Sequence, residues 1–456
     1  MAQTRRVPVF GSRPPCAYQS RLEERNLIRM NRMERNRISD KPEGFVLYEE
    51  PDEEEESTMP LLTVLNSSYN FVDYVRNREY GMREYRSVNQ NYGTRHLLTH
   101  NLFKERSIPL KTMNKVFCSQ WLNSTQIVFG TKCNKLMVYN VKSYELDQIP
   151  SIKGHAADQQ SGIHSLKINP SRTLLATGAY NSNEIAVYRL PTLDPVALGE
   201  GAHADSIFDI EWLDDEFLVS GSRDTKLALW QVQDKYQEKY DSEGDLIQPI
   251  TQFLNPAVIR TCKTAQKVRA ITFNKNLKEM VTLSLNGYVH VWDVEWFRQR
   301  FSRRLPSCQD NVCIAMKNDS SLYAVGCRSY TLLLDSKTLH TMKKIPARYS
   351  GCGIRSLSFQ DNVITIGTGV GVIMFYDIRA EKYLESNVNS SRSVVLNTSR
   401  GYVCPDEELM EDQGFQQAKY RPAIYTHCYD YSGTRLFSAG GPLQTDLIGN
   451  YAGLWQ

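Results

Sequence analysis

The sequence predicts an all-β chain closed into a seven-bladed β-propeller, and three observations carry that expectation. Seven short runs of alternating apolar residues recur along the chain, opening at Val116, Ile163, Ile207, Val268, Val312, Ile354 and Ile424. Alternation of this kind marks strands that bury one face. Two long polar stretches, 234–266 and 386–422, fall between units; without them the spacing settles at roughly 40 residues, the length of one four-stranded blade. The seventh unit stops at Trp455-Gln456, directly after its third strand. A sheet edge left open there would invite aggregation, so a strand ahead of the first unit must close the ring, and residues 107–110 are the candidate.

The clearest unit is 206–230, SIFDIEWLDDEFLVSGSRDTKLALW. It divides into three strands, an alternation through Ile207, Ile210 and Trp212, a run over 217–222, and a third over 226–230. Between the last two, Ser222-Arg223-Asp224 supplies a serine and an aspartate that bond back to the backbone of a tight reversal. Trp230 closes the unit and His203 lies in the loop before it. The unit resembles the WD repeat, with His203 in the part of that repeat's Gly-His histidine.

Composition narrows the function classes. A formal net charge of +3 over 456 residues is nearly neutral, so binding of nucleic acid by the whole molecule is not expected. The ten cysteines form no CxxC pair and no cluster, which reads as buried free thiols in a reducing compartment rather than a disulfide or zinc framework. No metal and no cofactor are expected. No apolar run is long enough to span a bilayer and no apolar leader opens the chain; the expectation is a soluble protein of cytoplasm and nucleus without a membrane partner.

Residues 1–66 lack core-forming periodicity. They carry Arg5-Arg6, an arginine-rich stretch over 21–37 and the acidic run EEPDEEEES at 49–57, and chains of this composition stay disordered. Residues 67–105 read as a helix-loop-helix. Phe71, Val72, Tyr74 and Val75 share one face of NFVDYVRNREY, and 94–102 gives a second amphipathic segment with Leu97, Leu98 and Leu102. Such helices pack on the propeller rim or offer their apolar faces to a partner. Residues 106–456 form the propeller.

Catalytic motifs are missing: the chain has no HExxH, no phosphate-binding Walker loop and no Gly-x-Ser-x-Gly. Gly367, Gly369 and Gly371 fall at a turn between two strands, where tight geometry accounts for them, and Asp214-Asp215 falls in a hairpin. No catalytic residue is assigned.

Surface chemistry remains. The residue after each opening position lies where the chain enters the inner strand, at one rim of the central channel, and those residues are Phe117, His164, Phe208, Arg269, Cys313, Arg355 and Tyr425. The position between the serine and aspartate of the second turn projects onto the same rim, giving Arg223 in the third unit and Lys132 in the first. Lys115 and Lys267 each precede an opening valine. Six cations from four units thus converge, interleaved with Phe117, Phe208 and Tyr425. Taken singly, each is a surface charge with a local acidic partner; together on one rim they repel, and an anionic ligand offsets that repulsion. A narrow funnel suits a chain terminus or an acidic pair better than a duplex, and arginine forks suit carboxylates.

Phe375-Tyr376-Asp377-Ile378-Arg379 closes the sixth unit. It resembles the aromatic-Asp-x-Arg box of WD-repeat substrate receptors for the cullin-4 RING ubiquitin ligase. NKVFCSQWLN, YRLPTLDPV, GTGVGVIMFYDIRA and AGGPLQTDLIGNYAGLW extend the likeness over about 71–456, so the chain is similar to the cullin-4-associated receptor factors, and to the twelfth group of them in particular. The resemblance implies a non-catalytic receptor that docks the damaged-DNA-binding adaptor and cullin-4 core through Phe71, Tyr74, Val75, Leu98, Asp377 and Arg379. It also implies capture of proteins ending in an acidic pair, typically Glu-Glu, by Lys115, Lys132, Arg223, Lys267, Arg269, Arg355 and Tyr425, leading to their degradation. A rival reading keeps the same cations on a scaffold for RNA or another anion without ligase attachment.

Overall fold

Seven antiparallel sheets form where the apolar alternation places strands. The computed structural model describes residues 45–47, 90–110, 113–150, 162–179, 181, 183–233, 252–306, 311–349, 353–388, 392–403, 421–444 and 447–456. The blades open with Val116–Trp121, Leu166–Ile168, Ile207–Trp212, Val268–Asn274, Cys313–Met316, Ile354–Gln360 and Ala423–Tyr429. Each runs outward through a second and third strand by tight reversals, as in Ile207–Trp212, Phe217–Ser222 and Lys226–Gln231 of the third blade. The result is a seven-bladed propeller.

The core lies between the blades. Ile127 and Phe129 of the first blade meet Phe437, Ala439 and Leu454 of the seventh, and the Phe129 and Phe437 rings stack at 5.9 Å. Side chains buried this fully contribute about 1.5–3 kcal/mol each. Within the third blade, Ser220 Oγ accepts from Trp230 Nε1 at 2.8 Å and meets His203 Nε2 at 2.8 Å. Asp224 accepts the amides of Ala204 and Lys226, both at 2.9 Å. Burial works to raise the Asp224 carboxyl, but the His203 ring and these amides outweigh it and hold the group at about 2.

The outer strands depart from the expected boundaries. Ring closure falls on Glu105–Ser107, paired antiparallel with Gly449–Trp455, two residues ahead of the expected start; Ile108 N extends the ladder to Ala452 O at 2.9 Å. The stretch 234–266 is not wholly an insertion between units. Val258–Thr261 is the fourth strand of the third blade, and Gln252–Leu254 adds in parallel to Pro195–Gly199 of the second. Likewise Val395–Asn397 pairs with Val372–Asp377, and Tyr402–Val403 with Gly449–Trp455. Insertions fall inside the outer-strand position because an edge strand can be split without opening the core. The turn expected at Gly367–Gly371 lies between Val363–Thr368 and Val372–Asp377, with Gly371 at φ +72°.

Of the helical segment, Gln90–Thr99 forms α1. Phe71, Tyr74 and Val75 lie outside the described residues, as does most of the tail over 1–66. Phe45–Leu47, expected within that disordered tail, forms a fifth strand on the fourth blade.

Candidate ligand-binding funnel

The entry to each inner strand is where functional side chains gather, and the backbone explains why. In five of the seven blades the ladder skips one residue, between Val116 and Cys118, Ile207 and Asp209, Val268 and Ala270, Ile354 and Ser356, and Ile424 and Thr426. The skipped residues are Phe117, Phe208, Arg269, Arg355 and Tyr425. A bulge re-aims its extra side chain out of the sheet. These side chains therefore leave the blade surface for the channel rim.

There they form a ring. The Phe117 ring meets Tyr425 edge-on at 5.4 Å and stacks on His164 at 4.4 Å; His164 meets Phe208 edge-on at 5.0 Å. The Arg269 guanidinium then lies over Phe208, 4.3 Å from its centre, a cation–π contact that orients the fork. Cys313 continues toward Arg355; burial pushes its thiol up to about 12, against the pull of the Arg355 and Arg269 charges. One half of the rim is aromatic and the other carries guanidinium groups.

The ring encloses a cavity of about 400 Å³ lined also by Lys115 and Lys132. Lys115 is buried and its Nζ donates to the Gln444 carbonyl. Gly162, at φ +86°, lets the chain pass beneath the rim: a Cβ there would stand 2.9 Å from Lys132 Cα and 3.0 Å from the Phe117 ring. The structure thus brings together Lys115, Lys132, Arg269, Arg355 and Tyr425. It leaves two expected residues outside the cavity wall. Arg223 is half exposed and pairs with Asp205 at 3.4 Å, although its charge still acts on Arg269; Lys267 is part-buried beside the rim.

Electrostatics single out the two arginines. Burial first, then the neighbouring Arg355 and Arg223 charges, lower the Arg269 guanidinium from its ordinary value. Among the described residues neither Arg269 nor Arg355 is in an ion pair with a carboxylate, and Arg355 Nε is buried without a hydrogen-bond acceptor. Further along the inner strands the opposite holds. Lys167 pairs with Glu211 at 2.6 Å, and Asp209 accepts from Ser165 Oγ at 2.7 Å and the Ile271 amide at 2.7 Å. That network went unnoticed in the sequence, although Lys167, Asp209 and Glu211 sit on inner strands where packing alone wants apolar residues.

The second predicted surface is built differently from expectation. Leu98 is 1% exposed and packs with Phe103, Ile373 and Phe375, so it seats α1 on the sixth blade and cannot itself touch a partner. Asp377 is buried, accepts from Arg95 at 2.6 Å, and caps the Arg379 amide at 2.9 Å. Buried carboxylates need such partners, so its role too is to fasten α1. Arg379 is exposed beside it. On the outer side of α1, Tyr92 is 71% exposed, and the His96 and His100 rings lie 4.0 Å apart. A cleft of about 320 Å³ runs between these residues and the sixth blade.

A propeller of repeated blades, with a cavity lined by Lys115, Lys132, Arg269 and Arg355 at one end of its channel, is the frame of a WD-repeat protein. The chain belongs to the DDB1- and CUL4-associated factor 12 beta propeller family, whose model matches residues 99–456 and so spans every residue of the rim. It is thereby a substrate receptor of the cullin-4 RING ligase type.

Proposed function

We propose that the cavity captures the free C-terminus of substrate proteins ending in an acidic pair, typically Glu-Glu. The outer face of α1 and Arg379 dock the adaptor, which brings the captured protein to the cullin-4 core for ubiquitination and degradation. The observation that carries this reading is the Arg269 and Arg355 pair, turned into one cavity without a carboxylate partner among the described residues. Two like charges kept this close call for an anion, and planar forks match carboxylates. A cavity of about 400 Å³ is in the range of small-ligand sites, the size of a few residues of extended chain.

The test is titration of a labelled peptide ending in Glu-Glu against the same peptide amidated or lengthened by one residue. The expected result is at least tenfold weaker binding for both altered ends. Equal binding by free and blocked ends, with displacement by RNA, would instead establish a general anion site.

A further inference from the structure

The outer edge of the fourth blade carries a feature unrelated to the funnel. Its fourth strand, Arg298–Arg304, reads RQRFSRR. Arg298 and Arg304 are exposed, Arg300 pairs with Glu279 at 3.0 Å, and Arg303 donates to the Thr338 carbonyl at 2.9 Å. An outermost strand presents backbone N–H and C=O groups that a further strand can use. Here Phe45–Leu47 uses them, pairing Phe45 with Arg303, Val46 with Ser302 and Leu47 with Phe301.

Val291 pairs with Phe301 but Trp292 with Gln299, so Arg300 is the extra residue of a bulge, directly beyond the pair that Leu47 makes with Phe301, and a bulge disrupts a ladder locally. Three described ladder pairs contribute little, so a competing strand can exchange with them. Beyond Leu47, which lies at the Arg298 end of the edge, the sequence reads Tyr48 and then EEPDEEEES. An apolar triplet followed by acidic residues matches an edge that offers three ladder positions with the exposed Arg298 beyond them.

We propose that this edge is a second docking site, for an extended segment of a partner protein with an apolar triplet followed by an acidic run, and that Phe45–Leu47 fills it in cis until such a strand adds to the sheet. The test uses the full chain with Phe45→Pro, Val46→Pro and Leu47→Pro, which removes the amide donors of the tail strand. The probe is a fluorescent peptide of residues 43–57. The opened chain is expected to bind the probe at least tenfold more tightly than the intact chain, with restored amide protection over 298–304. Exchange of the probe's acidic residues for amides, or Arg298→Glu in the chain, is expected to weaken it tenfold. Absence of binding to the opened chain, equal binding by the two chains, or indifference to those charges overturns the proposal. The Arg298→Glu chain should still bind a Glu-Glu peptide normally, so failure at the edge is separable from failure at the funnel.

Discussion

Replacing Arg355 by alanine should move affinity and stability in opposite directions. Its Nε is buried without an acceptor, and its charge disfavours that of Arg269. A ligand carboxylate that takes up the fork gains charge-assisted hydrogen bonds of about 1.5–3 kcal/mol each. Loss of one such contact corresponds to affinity weaker by roughly tenfold to a hundredfold. The unliganded propeller, relieved of a like-charge neighbour, should gain about 0.5–1 kcal/mol, the trade seen when a binding site stores strain. Arg355→Lys should recover only part of the affinity, because an ammonium makes no planar two-bond contact. Isothermal titration with a Glu-Glu peptide and urea unfolding of the free protein measure the two quantities. Unchanged affinity in Arg355→Ala, or full recovery in Arg355→Lys, would refute the reasoning.

Acid should weaken the fold between pH 6.5 and about 3. Burial lowers His290 to about 3 and His427 to about 4, so both are neutral when folded; their stability is complete above the unfolded value near 6.5 and is lost as pH falls below it. At pH 5 each should cost roughly 2 kcal/mol, and an unchanged slope after glutamine substitution at both would count against this origin. Leu98→Ala should cost about 2–5 kcal/mol in the seating of α1, read as faster amide exchange across Gln90–Thr99 and reduced adaptor co-purification with the funnel intact. Gly162→Ala, at positive φ and against Lys132 Cα, should cost about 1–3 kcal/mol and weaken peptide binding by shifting the rim; wild-type affinity and melting would contradict the close approach.

The inner architecture was legible because the inner strands bury one face and alternate, while the second strands behind them are buried almost throughout. Counting one residue on from Val268 or Ile354 reached Arg269 and Arg355 without any structure. The outer strands were not legible for the complementary reason. Val258–Thr261 reads VIRT and Lys382–Tyr383 is two residues long, and such edge segments have too little buried surface to imprint a period. Periodicity likewise could not say which way Leu98 faced, since a helix laid on a blade and one offered to a partner need the same stripe. The bulges that aim the rim are backbone events and leave no residue signature. Arg223 and Lys267 were placed on the wall by counting alone, and a shift of a few ångströms at a turn separates lining a cavity from standing beside it.

Glu105 determines where this ring can breathe. Every blade draws its first three strands from one neighbourhood of the sequence, and the second and third blades are further sewn together by the chain that passes through Gln252–Leu254 and Val258–Thr261. The seventh depends on a three-residue strand from far upstream, and the Glu105 carboxylate clasps it by accepting from Tyr451 Oη at 2.6 Å and the Ser399 amide at 2.7 Å. Under heat or mechanical load the circle therefore parts at this seam. Because Lys115 lies only ten positions beyond Glu105, the same rupture pulls apart the wall of the funnel on the side where the first blade meets the seventh, so loss of ligand and loss of closure become a single event.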